Sequence, residues 1–440
     1  MSSLLIKNGL VVTLNDRNEI IPNGSVYIED AKIVEVGVIP DSKYRPAKTL
    51  DAAGCVVMPG LINAHHHLYS TFARGFAPPG RPAENFKEIL EHLWWKLDRA
   101  LDAEDVYYSA LLVLLEGIKD GCTTVIDHHA SPACCDGSLD TIEKAFRDAG
   151  LNGCLCYEVS DRNKEGEGIA ENERFIRKCA QSGDAQIAAM FGLHASMTLG
   201  HATLERCAAI GKETGAGFHV HAAEDEMDEK VTQAEFHKRV MERFRDAGIT
   251  GPKSIFVHGV HLDEREREIL KETGSMVVHN PESNMNNAVG AARILCMMSR
   301  GVLVGLGTDG MASHMIASAR AAYLLQRHVV KDPRVAFGEA CDMLLKNNRT
   351  ICGRLFREPR GMLEAGQLGD VAVFEYVPFT PLTGANFYGH LLFGLYDTAV
   401  RATVCRGRVL MEHGKILGLD EAAIRAQCVE RAGRLWGRIA

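Results

Sequence analysis

Histidines and one aspartate recur at the downstream ends of apolar runs in this 440-residue chain. Met58-Pro59-Gly60-Leu61 leads into Asn63-Ala64-His65-His66-His67, and later runs close on His194, His219-Val220-His221, His258, His279 and Thr308-Asp309-Gly310. Imidazoles with a carboxylate form a donor set for a divalent transition metal. His65 and His67 stand two apart, so on a strand they project to one side and His66 to the other. Glu224 follows His221 by three residues and is placed for proton transfer beside a metal rather than for binding one. Asp309 ends a buried run and needs a positive partner, because an unpaired buried charge is expensive. His65, His67, His221 and Asp309 therefore make a candidate His₃Asp site with one position open, the mark of a catalytic rather than a structural metal. One zinc per chain suits these donors best, with iron or manganese as alternatives.

The same set points to hydrolysis. A divalent metal supplies hydroxide at neutral pH. Asp309 and His258 would orient it toward an electrophilic carbon bearing nitrogen. Glu224 would pass a proton to a ring or leaving nitrogen, so that ammonia or an amine departs. His194 and His279 are candidate substrate contacts. His128, His129 and His219 carry no assigned role, and for His219 a hydrogen-bonded interior place stands level with a functional one. No P-loop and no GxSxG elbow is present.

Residues this far apart need a scaffold that brings strand ends to one face, and the middle of the chain supplies the pattern. Strand candidates fall at 55–62, 122–127, 151–159, 185–193, 216–222, 253–259, 274–279 and 301–307, several nearly all apolar, as strands buried on both faces must be. Helix-like segments alternate with them, including 104–119, 140–149, 203–214, 228–247, 263–272 and 315–330. Eight alternating units predict an α/β fold, a (β/α)₈ barrel of the TIM type with its site at the strand C-termini. A doubly wound sheet would need a GxGxxG turn after an early strand, and none occurs. The flanks read as hairpins, with turns expected at Asn8-Gly9 and Asp30-Ala31, and again as strands around 370–375 and 403–416. Neither flank has enough strand to bury a face alone, so they should pair into one small discontinuous β-sandwich domain. The expected division is 1–58 and 366–440 for that domain, the latter with a helix over 419–440, and 59–365 for the catalytic barrel.

Composition narrows the class. The chain is 46% hydrophobic and 24% charged with a net charge of −8, an ordinary globular balance that gives no basic surface for nucleic acid or an anionic membrane. The 13 cysteines are odd in number and lack CxxC spacing, which suggests reduced thiols in the cytoplasm. The first residues lack a secretory pattern, and no apolar run reaches the length of a membrane span.

The ordered motifs resemble the amidohydrolase superfamily, in the branch of cytosine and guanine deaminases and triazine chlorohydrolases. Met58–His67, His221–Glu224, His258, His279–Asn284 and Gly307–Gly310 match its motifs in order, and Gly366–Phe374 resembles its return into the β domain. Residues His65–Gly75 are most similar to the SsnA-like aminohydrolases. The resemblance implies metal ligands at His65, His67, His221 and Asp309, catalytic groups at Glu224 and His258, and substrate contacts at His194 and His279. It also implies a homodimer or larger assembly. Binuclear relatives carry a bridging carboxylated lysine; the run ending at His194 has none, which favours one metal. Two departures bear on substrate: His194-Ala195-Ser196-Met197 stands where nucleoside deaminases have His-Ala-Pro-Tyr, and Met285-Asn286-Asn287 replaces a Lys-Leu pairing.

The segment 68–100 follows the first barrel strand and should shape the pocket. Tyr69 and the aromatics Trp94 and Trp95 suit a flat ring, with packing or a subunit interface as the other use of the tryptophans, and Arg74 is placed to meet a carbonyl-rich one. The favoured reaction is hydrolytic deamination of a small purine- or pyrimidine-related heterocycle. Hydrolytic opening of a cyclic amide uses the same groups, and a non-catalytic accessory protein could keep the fold.

Overall fold

The computed structural model describes residues 3–439. Two parallel five-stranded sheets form its centre. One runs through Leu61–His67, Cys122–Asp127, Asn152–Leu155 and Ile187–Ala189, the other through Phe191–Ala195, Phe218–Ala222, Ile255–His258, Met276–His279 and Leu303–Leu306. The chain crosses from one sheet to the other at Met190, and again between Leu306 and Asp309–Gly310, which pairs beside His66 and His67. Both seams are single strands that change neighbours, so the two sheets close into a ring of parallel strands, a TIM-like barrel. Its interior is filled from successive strands by Ile62, Ala64, Ile126, Cys154, Val257 and Val278.

Helices cover the outside, and their starts are chemically marked. Ala103–Lys119 opens with Asp102 and Asp105 in a capping box, and Glu264–Thr273 opens the same way with Asp263 and Glu266. The stretch expected as one helix over 228–247 is two, Glu226–Phe236 and Val240–Asp246, because His237 adopts φ 56° and breaks the run. Ile169–Ser182 is a further helix that the alternation of strands did not make explicit.

The flanks join in one nine-stranded sheet. Val56–Pro59 pairs antiparallel with Val371–Phe374, which ties the two ends of the chain together. Ile6, Val26, Ile28, Val57, Val373 and Val404 from both flanks share one core. The expected strand 55–62 is thus two strands serving different sheets. Gly60 separates them where a Cβ would lie 2.3 Å from the Thr123 side chain. Asp30-Ala31 turns a hairpin as expected, but Asn8-Gly9 does not: it is a bulge within Ser3–Val12, with Asn8 at φ 64°. The terminal helix, Glu421–Ile439, lies against Ala103–Lys119, and its Arg431 pairs with Asp102, Glu104 and Asp105.

Gly192 lies just past the seam at Met190, and a Cβ there would sit 2.2 Å from the Tyr157 carbonyl oxygen. That oxygen belongs to the backbone and cannot swing away. Gly192→Ala is expected to destabilise the fold by about 1–3 kcal/mol through forced backbone shifts, measured as a lower midpoint in urea unfolding.

Candidate metal centre and its cavity

The barrel turns four imidazoles and two carboxylates toward one point. Each histidine is oriented through its other ring nitrogen. His67 donates from Nδ1 to the His128 carbonyl at 2.6 Å, and His221 donates from Nδ1 to the His194 carbonyl at 2.9 Å. With those protons spent, the two Nε2 atoms are bare, yet they face each other at 3.1 Å. His258 donates from Nδ1 to Asn284 Oδ1 at 2.7 Å and turns Nε2 to within 3.4 Å of Glu224 and 3.6 Å of Asp309. His65 Nδ1 lies 2.9 Å from His219 Nε2, while its own Nε2 has no hydrogen-bond partner and sits 3.5 Å from Asp309 Oδ1. Asp309 Oδ1 is also 3.2 Å from His67 Nε2.

The electrostatics ask for a cation here. Burial holds the basicity of His65 and His221 well down. Burial acts the same way on His67, but the Asp309 carboxylate outweighs it and pushes His67 up to about 9. Burial opposes ionisation of Asp309 too, yet His65 and His67 hold its carboxyl well below the usual range. Positive charge is thus favoured between these rings and Asp309, and in the neutral imidazoles the bare Nε2 atoms around that carboxylate are the donor set a metal ion needs. His65, His67 and Asp309 form one group of mutually close ligand atoms, and His65, His221 and His258 another. Glu224, at the edge, is pushed by burial up to about 7, with His258 acting against the rise.

A cavity of about 250 Å³ opens onto these groups. Its wall includes His67, His221, Glu224, His258 and Asp309, and of the expected substrate contacts it includes Tyr69 and His194. Trp94 and Trp95 also line it, which makes them pocket rather than packing alone. Two expected contacts lie elsewhere. Arg74 forms a two-pronged pair with Glu116 at 3.0 and 2.8 Å and donates to the Met311 carbonyl, so its guanidinium is consumed outside the cavity. His279 is fully buried and does not line the cavity. It follows the interior-facing Val278 and so keeps to the opposite face of its strand. Burial pushes it down to about 3. His128 and His219 sit behind the site: His128 Nε2 lies 3.0 Å from the Leu193 carbonyl, and His219 supports His65. His129 bonds Ser131 Oγ at 2.7 Å.

Sequence reasoning missed Asp98 and Glu158, both buried and both on the cavity wall. Arg162 bridges them, at 3.0 and 2.8 Å. The signals were present: Asp98 lies four residues beyond Trp94 on one helical face, and Glu158 ends the apolar run 151–159.

Comparison with known proteins now decides the family. The model of the amidohydrolase family matches residues 56–410. The chain belongs to the amidohydrolase family. This amidohydrolase is 31% identical to a 5'-deoxyadenosine deaminase of Methanosarcina mazei over the whole of both chains. It is 30% identical to a 5-methylthioadenosine/S-adenosylhomocysteine deaminase of Desulforudis audaxviator, covering 98% of this chain and 99% of the other. Among solved structures, an adenosine deaminase of Xanthomonas campestris with bound zinc superposes with a TM-score of 0.86 at 22% identity, covering 99% and 98% of the two chains. That likeness bears on the fold. The chain is accordingly a hydrolase of carbon–nitrogen bonds other than peptide bonds, and its His/Asp cluster suits a metal cofactor.

Asp309→Ala removes the one carboxylate that faces both His65 and His67. Elemental analysis of the purified variant should find metal content near zero against a stoichiometric amount in the parent, and full occupancy in the variant would remove Asp309 from the ligand set.

Proposed function

We propose that this amidohydrolase is a hydrolytic deaminase of an adenosine-class purine, working with one divalent transition metal, zinc by preference, held by His65, His67, His221 and Asp309. The observation that carries the reading is the pair of bare Nε2 atoms of His67 and His221 facing each other beside Asp309, with Glu224 at the rim of the same cavity. The full-length relatives named as 5'-deoxyadenosine and 5-methylthioadenosine/S-adenosylhomocysteine deaminases support the substrate class.

When bound, the metal supplies a hydroxide nucleophile at neutral pH. The chain's own residues do the rest. Tyr69, Trp94 and Trp95 offer flat apolar faces to a purine ring. His258, pinned by Asn284, presents Nε2 between Glu224 and Asp309 and orients the attacking oxygen. Glu224 exchanges protons near neutrality, since burial brings it to about 7. It gives a proton to the ring nitrogen beside the attacked carbon. It then moves one from the added hydroxyl to the exocyclic amino group, the carbon–nitrogen bond breaks, and ammonia leaves with a ring carbonyl formed. His194, fixed through Nδ1 to Thr198 Oγ1 at 2.6 Å, contacts the substrate from the cavity wall.

We also read residues 1–58 and 366–440 as one discontinuous domain folded as a β-sandwich around a catalytic barrel of 59–365. The shared core of the two flanks supports this. The chain is read as a cytoplasmic homodimer or larger assembly. All 13 cysteines are free, and exposed Val377, Phe379 and Phe393 offer apolar surface for a subunit contact. No helix among the described residues is long and apolar enough to cross a membrane.

The metal-loaded protein should release ammonia from adenosine-class nucleosides while the purine ultraviolet band shifts without being lost. Loss of the band without ammonia would mean ring opening instead. Glu224→Gln should keep its metal and lose about 10²–10⁴-fold in kcat, the range of a positioned proton-transfer group; a smaller loss would move that role elsewhere.

A further inference from the structure

The cavity wall is one-sided in charge. Besides Glu224 and Asp309 at the metal centre, it carries Asp98, Glu158, Asp225, Asp228 and Glu282, and among the described residues no lysine or arginine lines it. The Arg162 guanidinium lies behind Asp98 and Glu158 and over the Trp95 ring at 5.0 Å, outside the wall. One guanidinium there serves two carboxyl groups, and burial raises both of them, Asp98 to about 7. Backbone amides hold two of the others as acceptors: Asp228 takes N–H bonds from Met197 and Ala223 at 2.9 Å each, and Asp225 takes one from Met227 at 2.9 Å. Glu282, an exposed residue of the wall, makes no hydrogen bond or ion pair among the described residues. Asp98 Oδ1 is buried, on a residue 1% exposed in the cavity wall, and has no hydrogen-bond partner. A buried acceptor left open in a binding cavity marks the place of a ligand donor.

We propose that the site selects its nucleoside by charge, accepting neutral or cationic groups on the sugar and refusing phosphate or carboxylate. This rests on the deaminase reading above and deepens it. Hydroxyl or ammonium protons satisfy Asp98 Oδ1 and its neighbours, whereas a phosphate or carboxylate against that part of the wall meets carboxyl groups and, among the described residues, no lysine or arginine to pair it.

The test uses three ligands alike except at the 5' position: adenosine, 5'-amino-5'-deoxyadenosine and adenosine 5'-monophosphate. Two readouts run in parallel. Ammonia release by the metal-loaded enzyme reports turnover. Quenching of tryptophan fluorescence in the Glu224→Gln protein reports binding beside Trp94 and Trp95, whether or not chemistry occurs. The monophosphate is expected to fall about 10²-fold or more below adenosine in kcat/KM and in affinity, a gap typical of juxtaposed like charges, with the amino compound at least equal to adenosine. A monophosphate within tenfold of adenosine in either readout overturns the inference, as does binding of none of the three. Charge-selective binding without ammonia from any of them upholds it and instead overturns the deaminase reading.

Discussion

Two imidazole Nε2 atoms meeting at 3.1 Å, each bare in the neutral ring, are the constraint on which the centre of this molecule depends. Each proton was committed by a neighbouring strand. The second barrel strand leads into the His128 carbonyl that fixes His67, and the fourth carries the His194 carbonyl that fixes His221. Backbone groups set the tautomers, so the ligand side of each ring is decided by the packing of the barrel and not by the site itself. His128 is held in turn by the Leu193 carbonyl. Closure of the ring and competence of the donor set are therefore one structural fact.

A regular strand would not bring these groups together. Its side chains alternate, and interior-facing Val257 would leave His258 on the outer face. His258 takes φ 71°, and the turn of the backbone brings it inward to Glu224 and Asp309. The first strand solves the same problem with an irregularity of register between Asn63 and His66, after which His65 and His67 face inward. Asp309 stands at φ 63° and Ala223, just before Glu224, at φ 49°. Left-handed backbone at non-glycine residues costs on the order of 1–3 kcal/mol each and persists only where the surroundings enforce it. At His258, Asp309 and Ala223 it falls at or just beyond strand ends that carry the site.

The sequence was most legible where periodicity and chemistry coincide. Eight apolar runs, the pairing of the flanks and the strand-end places of the histidines at 65, 67, 194, 221 and 258 could be read from the sequence, because a buried parallel strand announces itself as an apolar run. Local backbone departures could not. The bulge at Asn8-Gly9 looks like a hairpin turn in sequence, and the break at His237 carries no glycine or proline. His279 was misplaced because its position at a strand end resembles that of His258, and the φ that separates them has no sequence mark. Arg74 failed for another reason: a guanidinium can be read from sequence, but its partner Glu116, 42 residues away, cannot.

The acidic wall and the metal centre answer to the same field. A cavity lined by one sign of charge concentrates counter-ions, so the carboxylates that gather around the histidines also favour a metal ion at the bare nitrogens. Burial weakens protonation of His65 and His221 and so keeps their lone pairs free for that ion. A basic residue in the wall would pair with a substrate anion, but it would also pair with Asp309 and Glu224. Arg162 is tolerated because Asp98 and Glu158 take up its charge before it reaches the cavity. A wall without cations thus leaves Asp309 to the histidines, and the charge selection proposed for the ligand would draw on the same field.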